Sequence, residues 1–352
     1  KPIKTVACIA IGHSWAVAFG SMSSSFFTLA LITGLSMPTL AYWTSIFLGI
    51  ASILTGFLVA FVHGGIKSIK KGFIAIMVMG PSMAFTYFII SSVALSYMTA
   101  SVISGLVGIF CGIALTKTRF YTNKKVKQIN TDKNKINFNL GFLPYYVVII
   151  LSIIVGWPTN ISKWLSTHLS IGFNFPETVT GLGWVNLNVV SYPPFNMLTH
   201  PGTILLVSTF VGLLFFKLKG YRTFVSQGIK NSFKSGYKSM LGILFTTMTA
   251  LIVNESGMAF FTAQETMKIA GNNYFFLIPF IGALGTFLTG TTTSSNALFG
   301  VFQKSTADIA GANAYVASAG QASGASVAGM ISPPKLAIGL ATSGAEGKLS
   351  DV

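Results

Sequence analysis

Acidic residues are nearly absent from this chain. Its 352 residues hold 7 Asp and Glu against 23 Lys and Arg, and charged residues make up only 9%. Soluble domains carry about 25% charged residues, so a soluble globular protein is excluded. The 52% hydrophobic content and mean hydropathy of +0.69 indicate instead a polytopic membrane protein. Cysteine is almost missing too: Cys8 and Cys111 both sit in apolar runs, which excludes a disulfide framework and a thiolate metal site. No His-x-x-x-His, paired Asp or Gly-x-Ser-x-Gly occurs. A membrane-embedded hydrolase would need a convergent nucleophile and base or paired carboxylates, so we expect no enzyme, catalytic residue, metal ligand or cofactor.

The excess positive charge is local. Sixteen of the 23 Lys and Arg lie in Lys67–Lys71, Lys117–Lys135 and Lys217–Lys238. Each cluster separates apolar runs, the pattern of cytoplasmic loops, and reports topology and contact with anionic lipid, not nucleic acid. The basic loops 63–72, 117–135 and 217–238 are therefore predicted to be cytoplasmic. Between them, Tyr42 to Val62 reads as one span, and Phe73 to Leu115 as two with a kink at Pro81 and a turn near Ser91-Ser92 or Tyr97. Leu143 to Trp157 then returns outward and Gly202 to Phe216 inward. Pro158 to His200, rich in Asn, Pro and Trp, forms an outer loop in this scheme. Lys230, Lys234 and Lys238 recur at spacing four, so Phe224 to Lys238 is expected to lie along the membrane surface as a helix with one basic face.

Several apolar runs are interrupted. Val6 to Leu35 is broken at Gly12-His-Ser-Trp15 and at Gly20-Ser-Met-Ser-Ser-Ser25, and Met240 to Ile269 at Asn254-Glu-Ser-Gly257. Ala314 to Ala345 is interrupted at Gly320-Gln-Ala-Ser-Gly324 and again at Ile331-Ser-Pro-Pro334. A shift of 308 residues sets Gly12 on Gly320, His13 on Gln321, Met22 on Met330 and Ser24 on Ser332. Paired, glycine-interrupted segments in two halves are what inverted-repeat carriers contain.

The most specific stretch is Thr289-Gly-Thr-Thr-Thr-Ser-Ser-Asn296, seven hydroxyl and amide residues around one glycine in apolar surroundings. Tyr274 to Leu288 before it and Ala297 to Phe302 after it both fall short of the ~20 residues a span needs. The segment 274–310 therefore reads as a re-entrant hairpin with a polar tip. Irregular backbone at membrane depth is tolerated where it is buried in protein or lines a wet cavity, and such a tip is where a carrier holds its solute. The plainer alternative is a surface loop whose Ser and Thr only cap a helix.

Thr289-Gly290, Thr293-Ser-Ser-Asn-Ala-Leu-Phe299, Met330-Ile-Ser-Pro333 and Gly347-Lys-x-Ser-Asp351, with Ala18-Phe-Gly20 and Met22 near the start, resemble the lactate permease family. Its members are bacterial and archaeal carriers of lactate and glycolate. The resemblance runs over essentially the whole chain. It implies an all-α inverted-repeat carrier of the wider ion-transporter superfamily, with re-entrant hairpins and broken helices around one site, in which relatives move the site by an elevator motion. Members extend further at both ends: a first hairpin with a Glu-Gly-Ala-Ala-Gly-Phe-Gly-Ala-like motif and a last span are lacking here. With no Met at Lys1 and no closing span at Val352, the chain reads as a piece of a longer protein. On this basis 1–116 would close the first repeat, 117–141 form a cytoplasmic linker, and 142–352 the second repeat, with the hairpin 274–310 and a broken helix 314–345. The sequence departs from the family at Thr292, where members have Asp or Asn, at Gly329, where a Lys stands, at Pro334 for Gln, and at Glu255 within the usual Asn-Tyr-Ser-Gly.

The expected function is secondary active import of a small monocarboxylate, lactate or glycolate, across the plasma (inner) membrane by proton symport. Sodium coupling or exchange of another small acid is the alternative, and an anion channel a weaker one. A carboxylate needs helix N-termini, hydroxyls and amides, which assigns substrate binding to Thr289, Gly290, Thr293, Ser294, Ser295, Asn296, His13, Gln321 and Ser332. Glu255, the one carboxylate well inside an apolar segment, and His13 are the proton-coupling candidates, since intramembrane ionisable groups are functional by default. Lys335 is left between substrate contact and snorkelling to the interface. The partners expected are lactate or glycolate, protons and membrane lipid, with a homodimer left open. Cysteines introduced at Thr291 and Ser305, in a background without Cys8 and Cys111, should label from the same side of the membrane; opposite-side labelling would refute the hairpin.

Overall fold

Two glycines reverse the first long apolar run. The computed structural model describes residues 2–93, 96–118, 120, 121, 138–157, 159–181, 183–189, 195–221, 225–345 and 348–352. After α1 (Pro2–Ser14) and α2 (Gly20–Thr33), the continuous helical stretch α3 (Met37–Phe88) is folded at Gly64 (φ −168°) and Gly65 (φ 65°). Its halves, 37–63 and 66–88, run antiparallel. A Cβ on Gly49 would meet Ala84 at 3.3 Å, one on Gly56 would meet Ile76 at 3.1 Å, and one on Gly80 would meet Ile53 at 3.1 Å. Lipid tails are as apolar as the side chains, so membrane helices associate through close packing of small residues, as here. Pro81 is accommodated inside the second half, which ends in a π-turn at Ile89–Val93 before α4 (Tyr97–Thr116) begins.

The reversal at 64–65 leaves Lys67, Lys70 and Lys71 at one end of the hairpin. Tyr121, just beyond α4, donates its hydroxyl to Lys71 O (2.9 Å), so the first two basic clusters begin at the same end. The rest of the expected linker 117–141 and basic loop 117–135 lies largely outside the described residues. Helices α5 (Phe138–Gly141), α6 (Leu143–Gly156), α7 (Asn160–Thr167) and α8 (Pro201–Leu218) follow. Between α7 and α8 the chain forms a small antiparallel ribbon, β1 (Ser170–Ile171) with β4 (Phe195–Asn196) and β2 (Thr178–Val179) with β3 (Val185–Asn186). The outer loop expected there is thus partly ordered as strands. Its signal was the alternation Ile171, Phe173, Phe175 and Val185, Leu187, Val189, a period of two.

Helix α9 (Val225–Glu255) is one continuous element of 31 residues. The basic stretch containing Lys230 and Lys234 is therefore the leading half of a long helix and not a separate surface helix. Glycine at φ 79° (Gly257) ends it, and α10 (Met258–Ala270) leaves at 71° to the 240–255 portion. Among the described residues, Met37–Val93, Tyr97–Thr116 and Pro201–Leu218 are long and apolar enough to cross a bilayer, while Tyr274–Thr289 is shorter. The protein is an all-α, multi-pass membrane protein, as composition indicated, with the small ribbon as its β structure among the described residues.

The last third holds the hairpin. α11 (Tyr274–Thr289) and α12 (Thr292–Ile309) are joined by Gly290 and Thr291, and α13 (Ala314–Val327) packs on both. A Cβ on Gly282 would strike Gln321 O, and one on Gly324 would strike Pro279 O. Backbone therefore touches backbone along α11 and α13. This corrects one expectation: Gly320-Gln-Ala-Ser-Gly324 does not interrupt the helix but allows this contact. The helix gives way further on, through a 3₁₀ turn (Ala328–Ile331) before α14 (Pro333–Thr342). The N-terminal pair α1 and α2 packs against the same region, α1 on the 328–331 turn and α14, and α2 on α12. An aromatic cluster seals the core between them: Phe19 lies 4.7 Å from Phe26 and 5.2 Å from Tyr87, and Trp15 5.3 Å from Tyr87. Because the carbonyl facing Gly324 belongs to backbone, it cannot swing aside. Gly324→Val should cost about 1–3 kcal/mol or more through overpacking, read as a lowered melting temperature in detergent, whereas Gly228→Ala on an open face of α9 should not.

Candidate functional site

The hairpin tip is a set of short hydrogen bonds. Gly290 (φ 82°) closes α11 in the left-handed conformation, and Thr291 starts α12 by accepting the Ser294 N–H on Oγ1 (3.0 Å). The Thr291 hydroxyl donates to Ser294 Oγ (2.8 Å), and Thr289 Oγ1 donates to Gly285 O (2.7 Å) and Thr291 O (3.1 Å). Thr292 is buried and donates to Ala325 O (3.3 Å). Thr293 is half-buried and makes none of the side-chain hydrogen bonds found among the described residues. Helix α12 opens at this point, so its first N–H groups carry the partial positive charge of a helix start.

Below the tip, a chain of fully buried side chains links the hairpin to α13. Tyr274 donates its hydroxyl to Gln303 Oε1 (2.6 Å), and Gln303 Nε2 donates to Gln321 Oε1 (3.1 Å). Gln321 Nε2 donates in turn to Ser295 O (3.3 Å) and Oγ (3.1 Å), and Ser295 Oγ donates to Gly282 O (2.8 Å). Gln321 and Ser295, both expected to bind substrate, are thus occupied in joining three helices. Tyr274 and Gln303 were not anticipated. Their signal was an amide at 303, directly after the apolar stretch 297–302.

Asn296 reaches across to the other broken helix. Its Nδ2 donates to Ser25 Oγ (3.0 Å) and Ser25 O (3.2 Å) on α2, while its Oδ1 has no partner among the described residues despite complete burial. Just before Ser25 the backbone is left-handed at three successive non-glycine residues, Ser21, Met22 and Ser23 (φ 47°, 54° and 63°). Each such residue costs roughly 1–2 kcal/mol, so the break is held by its surroundings. Met22 and Ser23 are buried, and Ser101 Oγ caps Ala16 O (2.9 Å). A shift of 308 residues carries Ser21–Ser23 onto Gly329–Ile331, the second place where a helix gives way. There Ser332, fully buried, donates to Gly290 O (3.3 Å), and a Cβ on Gly290 would meet Pro334 at 2.9 Å.

The structure thus gathers Thr289, Gly290, Thr293, Ser294, Ser295, Asn296, Gln321 and Ser332 into one cluster bounded by α2, α11, α12 and α13. His13 stands apart, exposed at the end of α1 and within electrostatic reach of Lys335. Glu255 stands at the break itself: α9 ends there, 71° from α10, and the two helices are together apolar enough for one bent span. Its side chain is exposed at the elbow, the carboxylate accepting from Asn254 Nδ2 (3.2 Å). Its backbone carbonyl accepts from Asn186 (2.9 Å), and Trp184 covers Gly257. The ribbon therefore docks on this elbow, where Gly257 turns the chain.

The family model described as L-lactate permease matches residues 1–352. The chain is 24% identical over 377 residues to the L-lactate permease of Escherichia coli K12, which covers 100% of this chain and 67% of that protein. It is 25% identical over 328 residues to the L-lactate permease of Streptococcus iniae, covering 90% of this chain and 64% of the other. Against the glycolate permease GlcA of Escherichia coli K12, identity is 25% over 387 residues, with 100% and 67% covered. The chain therefore spans about two thirds of the length of these relatives. No solved structure matches it.

Proposed function

The chain belongs to the L-lactate permease family, and on that premise we propose that it is the larger part of a plasma-membrane carrier that imports a small monocarboxylate, lactate or glycolate, by proton symport. The observation that carries this reading is Asn296: a buried amide, clamped by two bonds to a strained helix break, with an oxygen left unpaired. Buried polar atoms are nearly always satisfied. An unpaired carbonyl at a helix start suits a hydroxyl donor, and the α-hydroxyl of lactate or glycolate is one.

The division of labour follows from which groups are already engaged. Thr289, Gly290, Ser294, Ser295, Gln321 and Ser332 hold the tip in shape through bonds within the protein. Thr293 and Asn296, with the first N–H groups of α12, keep capacity for solute. A carboxylate set at the start of α12 meets donors and the favourable end of the helix dipole. Preformed donors of this kind bind without reorganising, because the tip is fixed by its own hydrogen bonds. Coupling is assigned to the titratable groups His13 and Glu255. Both side chains are exposed, His13 at the end of α1 and Glu255 at the elbow between α9 and α10.

The test is uptake by the full chain in proteoliposomes. Radiolabelled lactate or glycolate should accumulate under an inward proton gradient; uptake that ignores pH and follows Na⁺ would overturn the coupling, and no uptake of any small hydroxy acid would overturn the substrate class. Asn296→Ala removes the clamp on Ser25 and the free oxygen together. An unpaired buried partner costs on the order of 1–3 kcal/mol, so the half-saturating concentration should rise about tenfold to a hundredfold. Glu255→Gln should weaken pH-driven accumulation more than exchange between labelled and unlabelled substrate. Normal accumulation in that variant would transfer coupling to His13.

A further inference from the structure

A cation lies over the 3₁₀ turn at 328–331. Lys335 stands in the first turn of α14 and is half-buried. Its side chain folds back over the turn, so that a Cβ on Gly329 would lie 2.8 Å from Lys335 Nζ and 3.8 Å from a methyl of Val17. The missing side chain at Gly329 is therefore the space in which the ammonium rests, between the second broken helix and the segment linking α1 to α2.

Nothing in the described protein neutralises that charge. The ion pairs found among the described residues are Lys268 with Glu265 and Lys304 with Asp308, both on other elements. No hydrogen bond to Lys335 Nζ occurs there either. His13 lies within electrostatic reach of Lys335 and contributes no negative charge. The start of α14 adds further positive potential, since a helix N-terminus bears a partial positive charge. A half-buried ammonium at a helix start is unfavourable on its own and is stabilised by an anion brought to it.

The position is tied to the hairpin. Ser332 and Pro334, on either side of Pro333 at the head of α14, both contact Gly290 at the tip. The base of Lys335 is therefore joined to the same tip from which Thr293 and Asn296 project.

We propose that the Lys335 ammonium, lodged over Gly329, is the electrostatic anchor for the carboxylate of the transported acid. This rests on the carrier function proposed above and adds its charge selection. Neutral hydroxyl and amide donors at the tip select for shape and hydroxyl groups, while Lys335 selects for the anion. Gly329 is a positioning residue: its role is to leave room for the ammonium.

The experiment compares variants of the full chain in proteoliposomes, reading labelled lactate uptake and, separately, the melting shift produced by lactate and by its neutral amide. Lys335→Gln should raise the half-saturating concentration by about tenfold or more, the scale of a lost charge-assisted contact, with the maximal rate little changed. Lys335→Arg should stay close to wild type. Lactate should stabilise the wild type more than lactamide does, and Lys335→Gln should erase that difference. Gly329→Ala pushes against the mobile end of a lysine and leaves the fold intact, so it should raise the half-saturating concentration severalfold. Should Lys335→Gln not reach the membrane, wild-type saturation in Gly329→Ala overturns the proposal. So does wild-type saturation in Lys335→Gln, with or without a lowered melting temperature, a lowered one marking an intramolecular ion pair instead. If wild-type protein moves lactate and Asn296→Ala impairs it while Lys335→Gln does not, this inference fails and the carrier function stands. If wild-type protein moves no small hydroxy acid, the carrier function itself fails.

Discussion

A buried polar group has no water to pair with, so the polar side chains within the hairpin have to be matched from within the protein. The chain from Tyr274 through Gln303 and Gln321 to Ser295 meets that demand below the tip, and Asn296 Nδ2 meets it toward α2. Asn296 Oδ1 and Thr286 Oγ1 are left without a partner among the described residues. The links join α11 to α12, α12 to α13 twice, and α12 to α2. Removing one would strand buried donors and acceptors on the next, which is why such networks rigidify a core when fully satisfied. The hairpin and α13 are thereby fixed against each other, and the close backbone contact at Gly282 and Gly324 reinforces the same pairing.

That rigidity has a counterpart in the two helix breaks. Ser21–Ser23 sit in a conformation that L residues rarely adopt, and 328–331 tightens into a 3₁₀ turn. Both lie beside the hairpin, one held through Ser25 and Asn296, the other through Ser332 and Gly290. Strained backbone persists when surrounding structure over-determines it and tends to cluster at ligand sites. In this protein the hairpin supplies that surrounding structure for both breaks. Gly290 is needed twice over, for its positive φ and for its contact with Pro334.

Charge is handled by placement. Lys268 and Lys304 pair within their own helices near polar surface, and the clusters at 67–71 and 117–121 meet at one end of the bundle. Glu255 stands at the elbow between two apolar helices, where Gly257 turns the chain. Lys335 is different: it lies in the first turn of α14 with no acid paired to it among the described residues.

Composition and periodicity by themselves determined the class of protein, the long apolar runs, the polar interruption within 289–296 between two short apolar arms, and the breaks near 20–25, 254–257 and 331–334. These are local properties: a run of apolar residues has to be helical in a bilayer, and clustered Gly, Ser and Asn have to interrupt it. The sequence misled at Gly320–Gly324, because a glycine that breaks a helix and a glycine that lets two helices touch look the same until the partner is known. It also overlooked Gln303 and the alternation in 171–189. Only the tertiary structure decided which tip residues keep free hydrogen-bonding capacity, that Asn296 reaches Ser25 across 271 positions of sequence, and that Lys335 occupies the space above Gly329. Those pairings join residues remote in the chain, and no local pattern encodes a distance that only folding creates.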